Sequence, residues 1–206
     1  MKGLIIKDLL NLKKNLNTVI VLIIFYALIG YTSSDPSMLI AMISLVLTMM
    51  TITTMSYDDL AKWDKYALTM PVSRKSIVLS KYILSIFLAL TGIIISTVIA
   101  FVLISIKDYE VSNLMIISYS IFLISLVFSS IILPLIFKFG VEKSRLMMMA
   151  AIGLPIAITY LLYRMGIELP NEAVLLNLLR LSPVITIIVV FISFCISYSI
   201  YKKKDI

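Results

Sequence analysis

The groups most able to do chemistry lie together in Asp58 to Lys81 (DDLAKWDKYALTMPVSRKSIVLSK), the longest charged segment of an otherwise apolar chain. They are carboxylates, ammonium groups and aromatic rings, which build ion pairs and interfaces; a reaction would also need a nucleophile with a base, or a metal-ligand set. The chain contains no histidine, which removes histidine ligation of haem or zinc, serine–histidine catalysis and an H-E-x-x-H protease. No G-x-x-x-x-G-K-[ST] occurs, so ATP is not bound through a P-loop. Cys195 is the single cysteine and forms no intramolecular disulfide. An intramembrane hydrolase would need a nucleophile and base inside an apolar run, and none is visible. No catalytic, cofactor-binding or metal-ligating residue is expected. Such groups suit a docking surface for a partner or an element at the membrane interface.

The elements around this segment are set by hydropathy. With 61% hydrophobic residues and a mean hydropathy of +1.10, the chain reads as an integral membrane protein. Residues 1–16 place Ile5, Leu9, Leu12 and Leu16 at helical spacing, with Lys7, Asn11 and Lys14 on another face. That pattern predicts an amphipathic helix in the headgroup plane, its lysines toward anionic lipid, or a helix packed on a partner. It lacks the small-residue cleavage site of a signal peptide. Six apolar runs follow, at 17–33, 36–57, 82–106, 111–137, 146–163 and 183–201, each near the ~20 residues that cross a bilayer. The expected fold is all-α, one amphipathic helix and six transmembrane helices in a single domain. Ser34-Asp35-Pro36 makes a hairpin of the first two spans, and Gly153 with Pro155 predicts a kink in the fifth.

Charge placement orients the chain. Of the 18 lysines and arginines, 15 fall in 1–16, 58–81, 138–145 and 202–204; only Lys107, Arg164 and Arg180 fall on the other side. By the positive-inside rule both termini are cytoplasmic. No charged residue lies within a predicted span, whereas proton relays and many ion-coupled carriers need ionisable groups there. A transporter so built takes its energy from another subunit. An ATPase-independent carrier or channel is the rival, and would move its substrate in liposomes without a companion. A membrane sensor or assembly protein that does not transport is a further alternative.

Within 58–81, residues 58–70 read as a short helix with an apolar edge of Leu60, Trp63, Ala67 and Met70, and Asp58 spaced to pair with Lys62. Pro71 ends it, and Ser73 caps the next helix, which runs into the third span. Trp63 and Tyr66 suit two roles: anchors in a partner's groove, or anchors in the headgroup layer.

The order of elements, with Lys62-Trp63-Asp64-Lys65-Tyr66, Met70-Pro71-Val72-Ser73-Arg74-Lys75, Ser80-Lys81-Tyr82 and Lys138-Phe139-Gly140-Val141-Glu142-Lys143, resembles an ABC-2 type permease subunit over the whole chain. It is similar to the short Gram-positive permeases that include those of phenol-soluble modulin exporters. The resemblance implies a coupling helix after the second span, set in a cleft of an ATPase subunit, with Asp58, Asp59, Lys62, Trp63, Asp64, Lys65, Tyr66 and Met70 as its contacts. It implies a second contact at Lys138, Glu142, Lys143 and Arg145, a stretch that also serves as a charged turn fixing topology. The partners implied are two cytoplasmic ABC ATPase subunits, which would hold ATP and Mg, a second permease copy or paralogue, and lipid of the bacterial plasma membrane. No nucleic acid is expected.

A substrate path avoids residues that demand lipid. Ser37, Ser44, Thr48, Thr51 and Met55 share one helical face of the second span. The resemblance, which sets the second and fifth spans around the path, adds Met147, Met148 and Met149. Hydroxyl faces in membrane helices equally mark helix packing, and Ser118, Ser125 and Ser129 repeat the pattern in the fourth span. The outer segment 164–182 is expected to be a re-entrant pair of short helices or an interfacial amphipathic stretch opened by Pro170. The implied activity is ATP-driven export by alternating access, of an amphipathic or hydrophobic cargo with a cytolytic-type peptide first.

Overall fold

The computed structural model describes residues 2–32, 37–107, 114–165 and 172–204. These form eight helices: α1 (Lys2–Lys13), α2 (Leu16–Thr32), α3 (Ser37–Leu60), α4 (Trp63–Thr69), α5 (Arg74–Lys107), α6 (Leu114–Phe139), α7 (Val141–Arg164) and α8 (Glu172–Lys202). Four of them, α3, α5, α6 and α8 from Arg180, are long and apolar enough to cross a membrane. A fifth crossing results if α1 and α2, which meet at 64°, count as one bent span. The all-helical membrane architecture thus stands, with four to five such crossings among the described residues against six predicted. α2 alone has 17 residues, and much of the apolar part of α7 lies outside the residues whose side chains are described. The predicted turn at 34–36 lies outside the described residues, as do 108–113 and 166–171 with Pro170. α8 runs unbroken from Glu172 through Pro183, so the last part of the outer segment is the start of the final helix.

The bundle is sorted as lipid dictates. Its outside carries large apolar side chains, such as Ile94, Val98 and Phe101 on α5 and Ile187, Phe191 and Ile192 on α8. Its inside mixes aliphatic residues with small hydroxyl residues, because helices in lipid gain nothing by hiding leucine and associate through close packing and hydrogen bonds. α3 is the central helix, packed on α2, α5 and α6. Ser44 and Ser96 join α3 to α5 by a 3.1 Å hydrogen bond. Beside them Gly92 of α5 lets the backbones close in, since a Cβ there would stand 3.2 Å from the Ser44 Cα.

Proline shapes the contact of α6 with α8. Pro134 has no N–H, so the Ser130 carbonyl four residues earlier has no intrahelical donor. Ser193 of α8 donates to that carbonyl instead. The Tyr82 hydroxyl of α5 shares hydrogen bonds with Ser193 and Ser197 at 2.6 and 2.8 Å, so three helices are tied by one polar chain. A backbone break that lipid would penalise is thereby satisfied within the protein.

Two main cores result. One, between α2, α3, α5 and α6, includes Val19, Ile40, Ile43, Leu47, Ala100 and Leu114. The other lies at the opposite end, where Met55, Ala67, Val78, Leu133, Phe137, Val141 and Tyr201 bring α3 to α8 together beneath α4.

Candidate functional site

The charged segment does not form one continuous loop. α3 continues past the predicted limit of its span to Leu60, and α5 begins at Arg74, so Asp58 and Asp59 belong to the end of α3 and Lys81 lies well inside α5. Lys62 takes a left-handed conformation, φ 48°, and swings the chain from α3 into the seven-residue α4. The Ser73 cap is present: the Ser76 N–H donates to Ser73 Oγ at 3.2 Å.

The left-handed turn decides which side of α4 faces in. Trp63 packs against the core and Ala67, one turn on, is buried. Tyr66, Met70, Lys62 and Lys65 face out, and Leu60 beside them is 79% exposed. This corrects the predicted apolar edge of Leu60, Trp63, Ala67 and Met70, which the structure splits between two faces. Trp63 is half-buried, and Lys7 of α1 holds its ammonium 4.3 Å from the ring centroid; the tryptophan is committed to its own chain before any partner arrives.

The four acidic and basic groups that anchor this region come from three helices. Lys81 donates to both Asp8 oxygens at 2.9 and 2.8 Å and to Asp58 at 2.6 Å. Lys7 bridges Asp58 at 2.6 Å and Asp8 at 3.2 Å. Asp8 is fully buried and Lys81 nearly so. The expected Asp58–Lys62 pair does not form; Asp58 is taken by partners 51 and 23 residues away. Two carboxylates and two ammonium groups make a neutral cluster, the condition under which buried charges persist. α1 correspondingly turns Lys7, Asp8 and Leu12 toward the protein and Ile6, Leu9 and Leu10 outward. Lys7 was expected at lipid; the buried carboxylates capture it instead.

Asp59 and Asp64 are also engaged. Asp59 accepts the Val141 N–H at 3.0 Å, filling an open donor at the start of α7. It can do so because Gly140, φ 77°, turns the chain sharply between α6 and α7. Asp64 accepts from the Tyr201 hydroxyl at 3.1 Å and Lys204 at 2.8 Å. Arg74 donates to the carbonyls of Tyr201, Lys202 and Lys204, closing the end of α8. A small cavity of about 20 Å³ remains between Asp58, Asp59, Asp64, Lys81 and Lys204. Among the described residues no cluster has the makings of a metal site.

A family model described as "ABC-2 family transporter protein" matches residues 3–202. The chain belongs to the ABC-2 transporter family. Nothing among the curated proteins or the solved structures matches it. It is therefore a multi-pass membrane protein and the membrane permease component of an ABC transporter, a class that generally works with an ATPase partner.

The remaining candidates of this ABC-2 chain divide by exposure. Lys138, Glu142, Lys143 and Arg145 are all exposed, at the α6–α7 turn that Asp59 holds. Ser44, Thr48, Thr51 and Met55 are buried at the seams with α5 and α6. Thr48 returns its hydroxyl to the Ser44 carbonyl at 2.8 Å. Met148 packs on the core, while Met147 and Met149 face outward. Asp8, Arg74 and the Lys202–Lys204 tail were not among the site residues expected from the sequence. Asp8 had a signal, an acid among lysines on a membrane-surface helix; the tail had none, since its partners are about 130 residues away.

Proposed function

We propose that this permease is driven by two cytoplasmic ATPase subunits that seat on the outward side of α4, and that it exports an amphipathic or hydrophobic cargo by alternating access. The single observation behind the docking assignment is the two-sidedness of α4. Its inner side is built into the bundle, whereas Tyr66, Met70, Lys62 and Lys65 remain exposed. An aromatic ring and a methionine flanked by lysines are the side chains a receiving groove uses as anchors and steering charges. The exposed α6–α7 turn would provide the second contact. Both termini and α4 are assigned to the cytoplasm by the concentration of lysine and arginine at this end.

A pair of permeases would complete the path, and α7, with Met147 and Met149 outward, is the helix assigned to face the partner. The family's six-crossing plan requires α2 and α7 to be counted as spans. The phenol-soluble modulin-like cargo rests on sequence resemblance, and a path without fixed charge is compatible with it.

Tyr66→Ala in the purified complex is the test. The substitution touches no core residue, so thermal stability is expected to stay within about 0.5 kcal/mol of the parent. Co-purification with the ATPase should fall at least fivefold, or coupled ATP turnover should be lost. Full retention of both would remove α4 as the docking element.

A further inference from the structure

α4 is poorly suited to transmit force through its own backbone. It has seven residues, joined to α3 through left-handed Lys62 and to α5 through the non-helical stretch 70–73. Joints of this kind are where hinges form, and a push on α4 would be absorbed there.

One carboxylate on α4 itself, Asp64, bypasses the joints, and two more lie just before the first of them, on the end of α3. Asp58 bonds Lys7 of α1 and Lys81 of α5, Asp59 bonds the first N–H of α7, and Asp64 bonds Tyr201 and Lys204 at the end of α8. The three act within seven residues of sequence and reach four other helices. Packing alone does not require charge here, because the core directly beneath is apolar and charges carry a desolvation cost that methyl groups do not. Charge-assisted bonds are short and directional, so they resist both separation and sliding.

We propose that Asp64 is a positioning residue that fastens α4 to the end of α8 across its joints, with Asp58 and Asp59 holding the adjoining end of α3 to α1, α5 and α7, so that displacement of α4 reaches the membrane helices through α8. The C-terminal residues Tyr201 to Lys204 are thereby part of the transmission path, held from above by Asp64 and from the side by Arg74. This rests on the assignment of α4 as the ATPase-docking element.

The α8 arm is tested in the full permease–ATPase complex in lipid nanodiscs. Cys195 is replaced by serine and a cysteine is placed at exposed Arg180, where the membrane-length part of α8 begins, far from Lys204. The probe is a membrane-impermeant maleimide, and the readout is the ratio of its labelling rates with and without Mg-ATP plus vanadate. In the parent this ratio should differ from one severalfold. Lys204→Glu, which sets two carboxylates against each other, should leave the ATPase bound and hydrolysing while the ratio falls threefold or more toward one. Lys204→Gln, for use if the reversal fails to assemble, should give a smaller fall in the same direction. The swapped pair Asp64→Lys with Lys204→Glu should restore the parent ratio, which a loss of local packing would not do. A parental ratio in Lys204→Glu or Lys204→Gln, no recovery in the swap, or a parent ratio of one with the ATPase bound would each overturn the proposal. Absence of any ATPase from the parent complex would instead defeat the docking assignment itself, and the proposal with it.

Discussion

The middle of α3 and its end solve the same problem, burying polar groups in a helix bundle, in opposite ways. At the middle, Ser44, Thr48 and Thr54 use hydroxyls that bond within the helix or to one neighbour. At the end, Asp58 and Asp59 are fastened to three other helices by charge. Hydroxyls let helices approach closely and ask little of their surroundings, so a seam of serine and threonine tolerates sliding. Carboxylates fixed by ammonium groups and N–H donors do not. The middle is built for packing, and the end is built to hold position.

The largest effect is expected at the charged end. Lys81→Met leaves Asp8 buried with only Lys7 beside it, and removing one partner of a buried ion pair costs about 3–5 kcal/mol. Thermal unfolding in detergent should show a destabilised or misassembled protein. Asp8→Leu with Lys81→Met should recover most of that loss, because Lys7 and Asp58 keep their 2.6 Å pair. If the single substitution were harmless, the contrast between the two regions of α3 would collapse.

Next comes close approach at the middle. Gly92→Val puts a branched side chain against the backbone of Ser44, whose Cα would lie 3.2 Å from the new Cβ. Overpacking of this kind costs about 1–3 kcal/mol. Gly30→Ala should also destabilise, since its new Cβ would meet buried Leu39 not only at the rotatable Cδ1 but also at Cβ, 3.1 Å away. The same melting experiment ranks them.

Ser193→Ala should cost about 1 kcal/mol, because it strands the Ser130 carbonyl and takes a partner from Tyr82. In a Pro134→Ala background the cost should shrink, since the substituted residue would offer the N–H that the carbonyl lacks. Additive losses in that double-mutant cycle would show that the proline is not the reason for the inter-helix bond.

What could be read from the sequence follows the range of the interactions involved. Pro71 and Ser73 act on adjacent backbone, and the end of α4 and the cap of α5 came out where those residues placed them. The apolar runs and their charged borders depend on lipid alone, and most became helices within a few residues of prediction. The pairing of Asp58 did not follow, because a local i,i+4 rule competes with partners that only the fold brings near. The orientation of α4 turned on one left-handed residue, Lys62, and a lysine in that conformation has no sequence signature. The hydroxyl face of α3 was visible, but periodicity gives a face without saying what lies opposite it. Here α5 and α6 lie opposite.

The smallest expected effect is the most informative about that face. Thr51 is buried, yet its hydroxyl makes no hydrogen bond to any described residue. It borders a cavity of about 10 Å³ with Thr48, Phe128 and Ser129, room for about one water. Thr51→Val keeps the shape and removes only that hydroxyl. If Thr51 serves packing, stability should stay within about 0.5 kcal/mol, since no protein bond is lost and a buried unpaired polar group is replaced by a methyl. Transport of an amphipathic peptide by the reconstituted complex should likewise be unchanged. If Thr51 instead meets the cargo, the same substitution should alter the transport rate while leaving the melting temperature in place. A transport defect at constant stability would return the α3 hydroxyl face to the path. It would also require α5 and α6 to part from α3 during the cycle, which a slidable seam permits and a charge-locked end would steer.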